Sequence, residues 1–394
     1  MSKLSVEDLD LKNKRVLMRA DFNVPLKEGK ITDDTRIRAA LPTIEYILGK
    51  GASLILMSHL GRPKGKVIEE MRLDPVARRL EELLGKKVVK LDDCVGEEVK
   101  KTVRMIKPGD IVLLENLRFH KEERENDPQF SKELADLADV FVNDAFGTAH
   151  RAHASTVGVA KFLPAAAGLL MRKELEVLGK ILTKPETPFV SILGGAKISD
   201  KIGVLRSLLN RCQDILIGGG MAYTFLKAKG IPVGRSLCED NKIDEAKKIM
   251  EEASLKGCKI HLPLDHIIAK EAKKGMETKV VGQDEIPSDW IALDIGPKTV
   301  QLFGEVVHKA RTVFWNGPMG MFEIEDFTKG TEAIAKMLAE SEAKTIVGGG
   351  DSIAALRKIG LEKRMTHTST GGGASLEFLE GKMLPGVKAL SDKE

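Results

Sequence analysis

Cysteine is scarce in this chain, and its spacing rules out metal knuckles. Cys94, Cys212, Cys238 and Cys258 lie 118, 26 and 20 residues apart, so no Cys-x-x-Cys pair exists and no zinc ribbon can be drawn. Two tryptophans and two tyrosines leave no aromatic platform on which single-stranded bases could stack. Neither sign of charge dominates: 62 Lys+Arg against 58 Asp+Glu leaves +4, unlike a nucleic-acid-binding polyelectrolyte. Residues 1–8 hold no apolar segment of the kind that leads a secretory signal. The uncharged stretch 162–171 is ten residues long and contains Pro164, too short to span a bilayer. Together these absences argue for a cytoplasmic protein, in a compartment that keeps thiols reduced, with no membrane and no nucleic-acid partner.

What is present is a chain of 394 residues, 42% hydrophobic and 30% charged. That is enough apolar surface for real cores, and enough length for two domains of about 100–200 residues each. Short β-branched and apolar runs recur at 15–19, 53–57, 111–114, 140–143, 189–193, 214–217, 259–263, 312–315 and 345–347. Helical patterns fall between many of them, such as Leu73, Val76, Ala77, Leu80, Leu83 and Leu84. Strands alternating with helices mean βα units and parallel sheets. Nine runs exceed one comfortable sheet, so the expected fold is α/β, with two doubly wound parallel-sheet (Rossmann-like) domains.

The expected division lies near residue 170. Pro164 to Gly168 reads as a break in the chain, 172–182 as one helix with Leu175, Leu178 and Leu182 on one face, and 183–188 as a linker holding Pro185 and Pro188. On spacing alone that helix is either an interdomain hinge or a surface helix of one domain. The expected domains are 1–170 and 171–380.

The two halves differ in composition. Residues 1–170 hold 12 of the 19 arginines but only 11 of the 37 glycines. In open parallel sheets ligands bind beyond the carboxyl ends of strands. In the first half those ends deliver Arg19-Ala20-Asp21-Phe22-Asn23, Ser58-His59-Leu60-Gly61-Arg62, Glu115-Asn116-Leu117-Arg118 and Asn143-Asp144, with His150, Arg151 and His153 just beyond and Arg36 and Arg38 after the first run. One such arginine reads as a surface ion pair. Several on successive strand ends converge on one place, and guanidinium forks fit phosphate and carboxylate.

In the second half the ends are bare backbone: Gly194-Gly195, Gly218-Gly219-Gly220, Asn316-Gly317-Pro318, Gly348-Gly349-Gly350 and Thr370-Gly371-Gly372-Gly373. One glycine pair is a tight turn. Several corners opening helices suit a nucleotide polyphosphate, because free N–H groups and the helix dipole favour phosphate there. Lys197 and Lys201, four apart, are expected on one face of a helix. Asp351, in the first turn of an expected helix over 352–357, is either an N-cap or a ligand for Mg²⁺ on the nucleotide.

The common nucleotide motifs are missing. Gly61-Arg62-Pro63-Lys64-Gly65-Lys66-Val67 is one residue short of a P-loop and ends in valine, and no Gly-x-Gly-x-x-Gly turn occurs. His150 and His153, three apart, find no further metal ligands at suitable spacing and read as positioning residues or core.

Seven ordered segments resemble the signatures of the phosphoglycerate kinase family. They are residues 16–25 (VLMRADFNVP), 58–63 (SHLGRP), 114–119 (LENLRF), 143–151 (NDAFGTAHR), 194–201 (GGAKISDK), 315–320 (WNGPMG) and 370–375 (TGGGAS). The resemblance implies reversible phosphoryl transfer between ATP and the carboxylate of 3-phosphoglycerate, by a monomeric glycolytic enzyme using Mg²⁺ with ATP or ADP. Position by position it implies that Asp21, Phe22, Asn23, Arg36, His59, Leu60, Gly61, Arg62, Arg118 and Arg151 face the acid on the first domain. It implies that Lys197, Lys201, Gly219, Ala292, Asn316, Glu323, Gly350, Asp351 and Ser352 face the nucleotide on the second, with Asp351 holding the metal. Ala292 is a departure, since many relatives carry glycine there near the adenine. The segment 381–394 is expected, by the same resemblance, to fold back on the first domain.

The expected mechanism needs no general base, because a carboxylate acceptor is already ionised near neutral pH. Arg36, Lys197 and the N–H groups of Gly371 and Gly372 are expected at the migrating phosphoryl group, after a hinge movement that excludes water. Two rival classes fare worse. A nicotinamide-dependent dehydrogenase lacks its dinucleotide turn. A sugar-phosphate sensor of the periplasmic type leaves the glycine corners, Lys197 and Asp351 unexplained.

Overall fold

The computed structural model describes residues 3–393. The chain divides into two compact units: the first runs to Glu176 and resumes at Met383, and the second is Val177–Lys382.

In the first unit β1 (Arg15–Arg19) leads through a hairpin, β2 (Leu26–Lys27) and β3 (Lys30–Ile31), into α1 (Thr35–Gly49). There follow β4 (Ser53–Met57), α2 (Asp74–Leu84), β5 (Val88–Lys90), α3 (Glu97–Met105), β6 (Ile111–Leu113), α4 (Lys121–Glu125), α5 (Pro128–Ala135), β7 (Val140–Asn143), β8 (Ala165–Ala167) and α6 (Leu169–Thr183). Six of these strands form one parallel sheet in the order β5-β6-β4-β1-β7-β8. β4 is buried along its whole length, and residues 54–57 of it accordingly read as an unbroken apolar run. α1 lays Ile37, Ala40, Ile44 and Ile47 onto the core built by Val16, Met18, Leu54 and Leu56. Register puts Arg19 opposite both Met57 and Asn143. Three strands therefore end level, and their following residues emerge along one edge.

The expected break at 164–168 is instead a strand. Ala165–Ala167 pairs in parallel with Phe141–Asn143, and Ser391 N–H donates to the Ala165 carbonyl at 2.9 Å. Three alanines carry no β propensity of their own; tertiary pairing decides. The helix after it begins three residues earlier than its spacing suggests, and the division between units falls inside it.

The second unit contains β9 (Phe189–Leu193), α7 (Ile202–Leu209), β10 (Asp214–Ile217), α8 (Met221–Ala228), α9 (Ile243–Leu255), β11 (Lys259–His261), β12 (Asp265–Ala269), β13 (Lys279–Gly282) and β14 (Ile291–Ile295). It continues with α10 (Pro297–Val307), β15 (Thr312–Asn316), α11 (Lys329–Glu340), β16 (Lys344–Gly348), α12 (Gly350–Lys358), β17 (His367–Thr368) and α13 (Gly373–Leu379). Six parallel strands run in the order β11-β10-β9-β15-β16-β17, and β13-β12-β14 make a separate antiparallel sheet that the sequence does not announce. Trp315, Phe303, Ile192 and Leu356 lie at the centre of the core. The chain then returns to the first unit through α14 (Pro385–Lys388). Among the described residues no helix is long and apolar enough to cross a membrane.

Candidate active site

The strand ends of the first unit are tied into one network by short-range turns. Asn116, just beyond β6, is wholly buried. Its Oδ1 accepts from Leu60 N–H at 3.2 Å and Arg118 N–H at 3.1 Å, and its Nδ2 donates to the Leu60 and Met71 carbonyls at 2.8 and 2.9 Å. That clamps the turn after β4 to the turn after β6. Gly61 takes φ +64°, and a Cβ there would meet the Met71 sulfur at 2.8 Å. Its N–H donates to Asn23 Oδ1 at 2.8 Å and its carbonyl accepts from Arg118 Nη1 at 2.7 Å. Phe22 N–H donates to Ser58 Oγ at 2.8 Å, and Arg36, in the first turn of α1, pairs with Asp21.

Positive charge then accumulates. A cavity of about 390 Å³ is lined by Arg62, Lys64, Arg118, Arg124, Arg151 and His153. Arg19, fully buried beneath the strand ends, points Nη2 at His59 Nδ1 at 3.0 Å. Burial first, then Arg19, Arg118, Arg36 and Arg151, hold the His59 imidazole well below its ordinary pKa, so it is neutral. Burial, with Arg19 and Arg151, pushes the Arg118 guanidinium down to about 10. Arg118 Nε is buried without a hydrogen-bond partner. Mutually repelling guanidiniums around a hollow favour an anion as occupant. Each could attract a unit negative charge at ~4 Å by about 4 kcal/mol gross at an effective dielectric of ~20, before desolvation.

Asp21, Phe22, Asn23, Arg36, His59, Leu60, Gly61, Arg62, Arg118 and Arg151 therefore share one neighbourhood. Arg38 does not join them; its Nε donates to Asp34 at 2.9 Å on the exposed side of α1. Lys64, Arg124 and the buried Arg19 are additions. Arg124 sits in the run Lys121-Glu122-Glu123-Arg124-Glu125, which reads as a solvated helix face, so only the fold reveals it.

In the second unit several glycine corners serve backbone packing. A Cβ on Gly194 would sit 2.1 Å from the Pro318 carbonyl, and one on Gly219 would sit 2.7 Å from Gly195 N and O. Gly195 N–H donates to the Pro318 carbonyl at 3.0 Å and Gly219 N–H to the Met319 carbonyl at 2.9 Å. The tight-turn reading thus accounts for these corners. Gly350 and Gly372 differ, since a Cβ on either would meet nothing within 4 Å. Gly372 precedes α13, whereas the Gly371 N–H is already donated to Ser369 Oγ at 3.2 Å.

Lys197 and Lys201 are not on a helix, contrary to their spacing. Gly195, at φ +104°, turns the chain away, buried Ile198 anchors it, and Glu239 accepts from Ser199 N–H and Oγ at 3.0 and 2.7 Å, so α7 starts only at Ile202. Lys197 is exposed in this loop. Lys201 donates to Asn316 Oδ1, and burial pushes its ammonium down to about 8. Asn316 Nδ2 is buried and unpartnered. Ser352 is buried, and its Oγ accepts from Gly317 N–H at 2.7 Å, so that hydroxyl holds a corner.

Beside these corners lies a pocket of about 280 Å³. Tyr223, Leu237, Ile291, Ala292, Leu293 and Met321 supply an apolar wall; Gly195, Gly219 and Gly220 supply backbone; Glu323 and Asp351 supply carboxylates. Ala292 stands on β14, its N–H donated to Ser236 Oγ at 3.0 Å. An apolar slot ending in glycine backbone and a carboxylate suits a base, its phosphates and a hard cation. Asp351 is exposed in the first turn of α12, as Mg²⁺ requires, being usually bound by one or two carboxylates plus phosphates. A second donor cluster, Asp93, Cys94 and His120, lies in the first unit. There burial pushes the Cys94 thiol up, which opposes the thiolate a metal needs.

Comparison with known proteins agrees across the chain. A family model described as phosphoglycerate kinase matches residues 6–382. The phosphoglycerate kinase of Pelotomaculum thermopropionicum is 59% identical over 393 residues, and that of Moorella thermoacetica is 60% identical over 393, with 100% of both chains covered in each case. Among solved structures, phosphoglycerate kinase from Coxiella burnetii superposes with a TM-score of 0.90 at 45% identity, covering 98% of each chain. The enzyme from Pyrococcus horikoshii OT3 gives 0.86 at 35%, again over 98% of each.

Proposed function

The chain belongs to the phosphoglycerate kinase family, and from that premise we propose how its two cavities divide the work. It is a kinase that transfers a phosphoryl group reversibly between ATP and the carboxylate of 3-phosphoglycerate, giving ADP and 1,3-bisphosphoglycerate. The acid goes to the arginine cavity of the first unit. The nucleotide goes to the glycine-lined pocket of the second, its base against Ala292, Leu293 and Met321, with Glu323 near the ribose and Lys201 and Asn316 near the phosphates. The observation that carries this reading is the concentration of Arg62, Arg118 and Arg151 around one hollow, with neutral His59 and the Asp21–Arg36 pair beside it.

The physics follows from charge. A phosphorylated acid carries about −2.5 to −3 charges near neutral pH, and its attack on a nucleotide phosphate is opposed by repulsion between anions. The arginine cavity offsets that repulsion. The attacking carboxylate needs no proton removed, so what remains is alignment and stabilisation of the migrating group. That task is assigned to Arg36, Lys197 and the N–H groups beside α13, of which Gly372 is the better candidate because Gly371 is internally bonded. Asp351 would hold Mg²⁺, which when bound offsets part of the phosphate charge.

Because acid and nucleotide are assigned to different units, transfer requires the units to close about α6, inside which the chain passes from one unit to the other, and closure also protects ATP from water. A monomer in a reducing cytoplasm completes the reading; the four unpaired cysteines suit the reducing compartment. The decisive experiment couples ADP formation to 3-phosphoglycerate: ADP should appear only when the acid is present, and acid-independent or absent ADP formation would refute the assignment.

A further inference from the structure

The basic cavity has beneath it one group that the reaction leaves unused: the carboxylate of Glu123, on α4, fully buried among arginines. Its Oε2 accepts from Ser155 N–H at 2.9 Å and its Oε1 from the Ser155 hydroxyl at 2.6 Å. That hydroxyl has a single proton. Having given it to Glu123, it can only accept elsewhere, and Arg19 Nε–H donates to it at 2.8 Å. Arg19 Nη1 donates to the Ala20 carbonyl, and Nη2 faces His59 Nδ1 at 3.0 Å. Glu123, Ser155 and Arg19 are fully buried and His59 is 3% exposed, so water cannot stand in for any member.

The direction of every bond is then forced. Arginine offers five donors and no acceptor, so His59 Nδ1 must be the accepting nitrogen. A neutral imidazole carries one proton, which is left on Nε2. We propose that Glu123 is a positioning residue: through Ser155 and Arg19 it fixes His59 as the Nε2–H tautomer, an N–H donor for an oxygen of the bound acid. A Glu123 that merely balanced the charge of Arg19 and Arg118 would give no reason for a Ser155 hydroxyl aligned between it and Arg19 Nε.

The proposal rests on the acid occupying this cavity, and its test separates the two. Heteronuclear NMR of ring-labelled histidine in the intact, unliganded chain should show His59 neutral with its proton on Nε2. Glu123→Gln and Ser155→Ala should each raise the KM for 3-phosphoglycerate about tenfold, as expected for one unmade buried hydrogen bond, with kcat and the KM for ATP held within about twofold. In both variants His59 should lose its single tautomer. A proton on Nδ1 in the unliganded wild type overturns the inference while leaving the site assignment standing. So do variants with unchanged KM and unchanged His59 signals, even if their melting temperature falls. His59 signals indifferent to added 3-phosphoglycerate would instead overturn the placement of the acid, and with it the use given to the network.

Discussion

Arg36 sets the sharpest demand on a single side chain. Its guanidinium stays in reach of solvent while paired to Asp21, so it can turn to an incoming anion without leaving an unpaired charge in the core. Arg36→Met should lower turnover by about 10³-fold or more with nucleotide binding near normal, in line with other arginines that stabilise phosphoryl transfer; steady-state kinetics that retain a tenth of the wild-type rate would remove it from the mechanism. Lys201 makes a prediction about pH. Burial holds its ammonium near 8, well under a free lysine, and bound polyphosphate favours the charged form. Calorimetric titration should show ADP binding more weakly at about pH 9 than at about pH 7, and Lys201→Met should flatten that slope. Stability runs the other way. Above about pH 8 the unfolded chain holds the proton that the folded one has lost, so Lys201 contributes a rise in stability with pH up to the ordinary lysine range. At this scale much of the site could be read directly from the sequence, because arginines at strand ends and glycines at corners are chemically distinctive. Glu123 could not, since in a run of charged residues nothing marks the one that turns inward.

Helix α6 illustrates what an element owes to its neighbours. Its first N–H groups are met from outside: Thr43 Oγ1 accepts from Leu169 at 3.0 Å, and Asp144 Oδ1 accepts from Leu170 and Met171 at 3.0 and 3.1 Å. Gly168 permits the approach, as a Cβ there would lie 2.1 Å from Asp144 Oδ1. Asp144→Ala should cost about 1–2 kcal/mol, the ordinary worth of an N-cap, read from denaturant unfolding. Burial raises the Asp144 carboxyl to about 6. A raised carboxyl stabilises the fold most below its unfolded value, and that contribution is lost as pH climbs towards about 6; Asp144→Asn should abolish that part of the profile. Strands with strong β-branched runs were legible, as were helices with regular apolar spacing. β8, made of alanines, and β17, only two residues long, were not, because pairing partners far away in sequence create them. The loop bearing Lys197 misled for a related reason: a four-residue interval implies a helix only when the backbone is free to form one, and Gly195 and Glu239 do not allow it.

At the scale of the molecule, the proposed closure predicts that small-angle scattering will give a smaller radius of gyration with both substrates than with either alone; superimposable curves would end that proposal. A second prediction concerns residues 383–394. Leu384, Val387 and Leu390 are nearly inaccessible, each worth about 1.5–3 kcal/mol of burial. Gly386 N–H donates to the Ala149 carbonyl at 2.8 Å, and Lys3 bridges to Asp392. Deleting this segment should split the calorimetric melt, with the first unit unfolding at lower temperature than the second; one unshifted transition would contradict it.

That returning segment also imposes a timetable on synthesis. The second unit is one uninterrupted stretch and can mature as soon as Lys382 clears the ribosome. The first unit, although begun earlier, waits with the Ala165 end of β8 unpaired until residues 383–393 leave the exit tunnel. In a nascent chain, the half that is translated first is the half completed last.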